Sequence, residues 1–255
     1  MHVAEIYPLL RQMRQRGELK PIPGVTYVYQ VVVPYATVRP VQEDEILMEV
    51  HPYAALAYLS ALAFHHLTNE LPQSIYALLP ADGIGGMLPL GTDERDWKEL
   101  ALIPGRRVPK LLGHHVQWSR VGADKFHGVA LYRPNGVPIR VTTPERTLLD
   151  GLQRPELSGG IENVLRAWDL ARDMLDLDAL VREVDQFAVQ VLRQRVGYIL
   201  EELGLTHPAL STWQRSAQRG GSSKLFGPAP YAPTYSERWS LSLNAPVDIL
   251  HESRA

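Results

Sequence analysis

The period of the apolar residues changes at Thr142, and few architectures accommodate that change. Before it, His114 to Val121, Phe126 to Tyr132 and Val137 to Val141 are short, β-rich runs, the last two joined by Arg133-Pro-Asn-Gly, a turn sequence. After it, Ile161, Val164, Leu165, Trp168, Ala171 and Leu175 recur at helical spacing. Leu177, Leu180, Val181 and Val184 do the same, and so do Leu192, Val196, Ile199 and Leu203. Strands followed by helices, rather than the two in alternation, predict an α+β fold with an antiparallel sheet and a helical bundle.

The boundary itself is a helix start. Either Thr142 caps with Glu145 three residues on, or Thr143 caps with Pro144 at the first helical position. The helix runs to about Leu152, and Pro155 to Gly160 breaks it. Pro144 starts it, Leu148 and Leu149 bury it, and Glu145, Arg146 and Asp150 are expected as outward charges tying its ends. Arg146 and Asp150 space as an i,i+4 pair worth a few tenths of a kcal/mol on a solvated face. These six residues read as architecture, not as a reaction centre. Asp176 caps the helix after next, and Gly204 closes the bundle.

Toward the N-terminus, Val3 to Arg16 reads as a helix or two short helical turns, interrupted by Pro8 and closed by Gly17. Glu18 to Ile22 and Val25 to Val33 are strand-like and meet at Pro23-Gly24. A helix followed by a hairpin is the back half of a winged helix, in which the helix reads base edges and the wing touches phosphates. Residues 1–40 hold five basic residues against two acidic ones. Arg11, Gln12, Gln15 and Arg16 have the side chains that match guanine and adenine edges or phosphates, and Lys20 lies on the wing. A second basic patch, Arg106, Arg107 and Lys110, lies in a region with ten basic residues against four acidic ones, 95–146. It extends a DNA footprint or meets an acidic partner.

Between these regions, Val41 to Glu49 reads as an acidic connector or edge strand. Pro52 to His66, apolar on nearly all sides, reads as a buried helix. Gln73 to Leu79 reads as a strand and Pro80 to Asp93 as a loop. Trp97 to Ile103 fits helix or strand. Residues 206–236, rich in Pro, Gly and Ser, read as a long loop, and Arg238 to Leu243 as a late strand adding an edge to the sheet.

Several chemistries lack their residues. The chain contains no cysteine, which removes disulfides, thiolate metal sites and cysteine nucleophiles. No dinucleotide, P-loop, zinc-protease or nucleophile-elbow motif is present. His65-His66 and His114-His115 each send neighbouring side chains to different faces, so no metal site and no cofactor is expected. The richest apolar stretch is about thirteen residues where a bilayer span needs roughly 20, and the start lacks the order of a signal peptide. The expectation is a soluble cytoplasmic protein without catalytic residues.

Taken together, His51 to Thr68, Val141-Thr-Thr-Pro-Glu-Arg-Thr-Leu-Leu-Asp150, Arg195 to Gly204 and Arg238 to Asp248 resemble the AbiEi-type antitoxins of bacterial type IV toxin–antitoxin systems. The resemblance implies a partial winged helix-like unit over 1–40 and an antitoxin-like α+β domain over 41–255. It implies a transcriptional regulator whose N-terminal unit binds promoter DNA and whose C-terminal domain counteracts a nucleotidyltransferase-type toxin or acts on its target. Ile6 to Arg16 would correspond to the recognition helix and Glu18 to Tyr29 to the wing; the sequence carries no counterpart of the helices that precede them in the family. The alternative is a protein-binding antitoxin or interaction module without DNA binding of its own.

Overall fold

Helix α1 (Val3–Gln15) opens the computed structural model, which describes residues 3–33, 35, 39–98, 100–217 and 223–254. Gly17, at φ 74°, ends the helix. Its amide bonds Arg14 O at 3.1 Å while the Glu18 amide bonds Met13 O at 2.9 Å. That pair of bonds needs a residue that enters the left-handed region cheaply. Strands β1 (Leu19–Pro21) and β2 (Tyr29–Val31) pair antiparallel, with Lys20 opposite Gln30. Both are shorter than the sequence suggests, because Pro23-Gly24 and Thr26-Tyr27 each turn the chain and the connection occupies 22–28. Ile22 and Val25, inside that connection, are buried in one cluster with Ile46, Leu47, Leu111, Val116 and Val141. The hairpin is therefore anchored in the sheet's own core.

The segment expected as a connector or edge strand is a helix, α2 (Glu43–Val50). Gln42 and Glu45 form a reciprocal cap, three acids occupy the first turn where the helix dipole favours them, and Ile46, Leu47, Met48 and Val50 are buried. The run 52–66 is not one helix. It divides into β3 (Ala55–Leu56) and α3 (Tyr58–Phe64), with Tyr58, the first residue of α3, at φ 52°. A stretch apolar on every side carries no period, so it suits a strand buried on both faces as well as a helix.

β4 (Ser74–Pro80), β5 (Lys110–Leu111), β6 (His114–Val121), β7 (Val129–Tyr132) and β8 (Ile139–Thr142) complete a six-stranded sheet of order β5-β6-β4-β3-β8-β7. The fold class is α+β, but the sheet is mixed rather than antiparallel. β3–β4, β5–β6 and β7–β8 are antiparallel, whereas β4–β6 and β3–β8 run parallel. Parallel neighbours need long crossovers, and the chain supplies one across 81–113 and another from β3 to β8. Residues 94–97, within the first crossover, form a 3-10 turn.

Helix α4 (Pro144–Gln153) starts on Thr143, whose hydroxyl accepts from the Arg146 amide at 3.3 Å; Pro144 takes the first position. α5 (Gly160–Ala171), α6 (Leu177–Phe187), capped by Asp176, and α7 (Gln190–Glu202) follow, and Leu148, Leu149, Val164, Trp168, Val184 and Val196 share their core. Residues 206–236 are not a plain loop: α8 (Ala209–Ala217) buries Leu210, Trp213 and Ala217. β9 (Ser223–Lys224), β10 (Tyr235–Ser236) and β11 (Leu241–Ser242) form a small separate sheet. The late strand thus caps the bundle instead of extending the main sheet. Among the described residues no helix is long and apolar enough to cross a membrane.

Candidate nucleic-acid interface

On α1, Ile6, Leu10 and Met13 are half-buried, whereas Arg11, Gln12, Arg14 and Gln15 are exposed. Arg16, just beyond its end, is exposed and sits 3.8 Å from Glu18, a weak surface pair. Lys20 is exposed on β1. The five sequence candidates therefore share one helix–hairpin unit. Arg14, one of the basic residues of this stretch but not a candidate contact, stands over the Tyr29 ring at 5.7 Å, which ties the helix to β2. Tyr7 and Leu9 also face solvent on α1.

The second basic patch abuts this unit. Arg106, Arg107 and Lys110 are all exposed, but Arg106 is not a free loop cation. Its guanidinium donates to Thr26 Oγ1 at 2.7 Å and to Thr26 O, and it stacks on the Tyr27 ring at 5.4 Å. The loop beneath is held from three sides: Arg106 N bonds Val50 O at 3.0 Å, Trp118 Nε1 donates to Val108 O at 2.8 Å, and Val116 N bonds Pro109 O at 2.9 Å. Gly105 packs on His51 so closely that a Cβ would overlap the ring and the Val50 carbonyl. Lys110 lies on the edge strand β5, opposite His115.

The Pro144–Asp150 segment departs from expectation. Leu148 and Leu149 are buried as predicted, yet Glu145, Arg146 and Asp150 are buried too, Arg146 to 1% exposure and Asp150 to 4%. Arg146 Nε donates to Asp150 Oδ1 at 2.9 Å, and Nη1 donates to the carbonyls of Lys125 at 2.9 Å and His127 at 2.6 Å. The guanidinium lies 4.5 Å from the Phe187 ring centroid, and His127 Nδ1 donates to Glu183 Oε2 at 2.6 Å. Burial pushes the Asp150 carboxyl up from its ordinary range, with Arg146 pulling it back. The charges face inward because the chain before β7 folds over this side of α4: a Cβ at Gly128 would meet Arg146 and Glu183 at 2.7 Å. The pair is a buried joint between sheet and bundle rather than a surface tie, and its energetics follow the rules for buried ions.

The paired histidines separate. His65 Nε2 donates to Thr142 O at 2.7 Å, while His114 Nδ1 pairs with Glu43 at 2.9 Å. Among the described residues no three His, Asp or Glu side chains are grouped to hold a metal ion. The sequence reading missed Thr26 and Tyr27 as partners of Arg106, and His127, Glu183 and Phe187 as partners of Arg146. Contacts across 80 and 56 residues leave no local signal.

No protein-family model matches the chain, and none of the curated proteins compared with it matches. Among solved structures, the RV2827C protein from Mycobacterium tuberculosis is similar, with a TM-score of 0.55 at 17% identity over 97% of this chain and 82% of that one. At that identity the likeness establishes the fold alone.

Proposed function

We propose that the chain is an AbiEi-like bacterial regulator and antitoxin that acts in the cytoplasm by binding. Its helix–hairpin unit grips promoter DNA, and the domain from residue 41 onward counteracts a nucleotidyltransferase-type toxin. No reaction is assigned to it. The observation that carries the DNA half is the exposure of Arg11, Gln12, Gln15, Arg16 and Lys20 on one helix–hairpin unit, whose hairpin is rooted in the core by Ile22 and Val25. A rigid frame places such side chains against a duplex without an ordering cost at binding. The toxin half rests on the sequence resemblance, centred on residues 141–150.

The test is titration of the full chain with the duplex immediately upstream of its own coding sequence, at two salt concentrations. Binding should be sequence-dependent and should weaken steeply with salt. Co-expression with a nucleotidyltransferase encoded beside the gene should relieve that protein's toxicity.

A second reading, a protein-binding antitoxin without DNA binding, is favoured by one observation. Tyr7 and Leu9, 63% and 45% exposed, put apolar surface among the arginines of α1, and protein interfaces use such mixed surfaces. Toxin relief with no DNA binding at low salt would select it.

A further inference from the structure

The connection between β1 and β2 combines three features that a solvated turn does not need. Tyr27 has φ 66°, in the left-handed region where a bulky side chain is strained. Its ring is nevertheless 75% exposed, so no burial of that ring repays the strain. The backbone is held instead by Ile22 and Val25, buried on the inner side, and by Arg106, which reaches across from the loop 104–109. Arg106 grips both the hydroxyl and the carbonyl of Thr26 and covers the Tyr27 ring. That loop is itself pinned to α2 and β6.

We propose that Arg106 is a positioning residue that fixes the 22–28 turn as a preformed finger for the sugar–phosphate edge of duplex DNA, with Tyr27 as the contacting side chain. The inference rests on the DNA-binding reading of α1 and the hairpin, and adds to it a part of the chain outside that unit. Each Nη of the guanidinium gives a hydrogen bond to Thr26, which commits Arg106 to holding the turn and leaves the phosphate contact to a neighbouring cation. Arg107, its exposed neighbour, takes that role. Lysine cannot replace Arg106, because a point charge reproduces neither the two-pronged grip nor the stacking. An exposed aromatic ring beside positive charge suits a deoxyribose and its flanking phosphate, where contacts position the protein without reading sequence.

The experiment is fluorescence-anisotropy titration of the full chain with the duplex from immediately upstream of its own coding sequence, over a series of salt concentrations. The variants are Arg106→Gln, Arg106→Lys, Tyr27→Ala, the double variant Arg106→Gln/Tyr27→Ala and Arg107→Gln, each checked by thermal denaturation for an unchanged fold. Arg106→Gln and Tyr27→Ala should each weaken binding by about tenfold with the salt slope unchanged, and the double variant should be little worse than either alone. Arg106→Lys should not rescue. Arg107→Gln should lower the slope by about one, as loss of a single phosphate contact does. The inference is overturned if Arg106→Gln binds like the wild type, if it lowers the slope as a phosphate ligand would, or if the losses simply add. Wild-type protein that binds no duplex at low salt overturns the DNA reading itself, and this inference with it. Wild-type binding with indifferent Arg106 and Tyr27 variants overturns the brace alone.

Discussion

Single residues in this chain gain their weight from enclosure rather than from type. On a solvated helix face the Arg146–Asp150 pair would be nearly silent. Here Arg146→Met strands a buried carboxylate and frees two carbonyls, so it should cost ~3–5 kcal/mol, read as a drop in the urea midpoint. Asp150→Asn keeps a hydrogen-bonding side chain of the same shape yet leaves the guanidinium without its counter-ion, and should rival the ~2–5 kcal/mol expected of Leu148→Ala. A near-neutral Asp150→Asn would contradict the joint described above. His51 is the second case. Its side chain is 2% exposed against Trp118, and burial holds its pKa down at about 4. Arg107 adds to the effect. With the folded value below the ordinary 6.5, the folded state binds fewer protons than the unfolded one between these limits. Stability is therefore fully present above pH 6.5 and is lost as pH falls toward 4. Replacing His51 by Leu should flatten the dependence of the urea midpoint in that window, and an unaltered slope would show that other groups govern it.

Caps and close approaches decide matters at the scale of elements. Asp176 Oδ1 accepts from the Ala179 amide at 2.9 Å at the start of α6, so Asp176→Ala should cost about 1 kcal/mol without changing the m-value. Helix α7 meets the C-terminal segment at Gly197, where a Cβ would fall within the Trp239 ring, itself tied to Glu201 at 2.6 Å. Gly197→Ala should destabilise by at least ~1–3 kcal/mol, as overpacking does, with altered tryptophan fluorescence in the native state; a silent substitution would mean the contact is looser than drawn.

Such elements were legible in proportion to their local chemistry. The helix starts at Thr143 and Asp176 and the strands at 74, 114 and 139 carry caps, turns and alternation that short windows reveal. The division of 52–66 into strand and helix was not legible, because uniform apolarity has no period. Helix α8 was hidden in Pro- and Gly-rich surroundings, although Leu210, Trp213 and Ala217 stand at helical spacing. At the candidate site the exposed polar side of α1 followed from its sequence. The inward turn of Arg146 and the reach of Arg106 to Thr26 depend on distant chain, and nothing nearby in the sequence encodes them.

For the whole molecule, the question is whether residues 1–40 stand apart from 41–255. Ile22 and Val25 are buried with side chains of α2, β6 and β8, and two such side chains are worth ~3–6 kcal/mol of burial. Removing residues 1–40 should therefore lower the stability of the remainder by a comparable amount, read as a drop in its urea midpoint. An independent N-terminal unit would leave that midpoint where it was. The same coupling means that whatever moves the 104–109 loop also moves the hairpin.

The order of strands has a last consequence, for a chain emerging from the ribosome. β3 lies between β4, which follows it closely, and β8, which lies some way downstream beyond β4, β5, β6 and β7. The middle of the sheet stays open until Thr142 has been synthesised, so the apolar run 52–66 must wait, unsheltered on one side, while 76 further residues are added. Nascent chains stalled before that point should be the ones that chaperones hold longest.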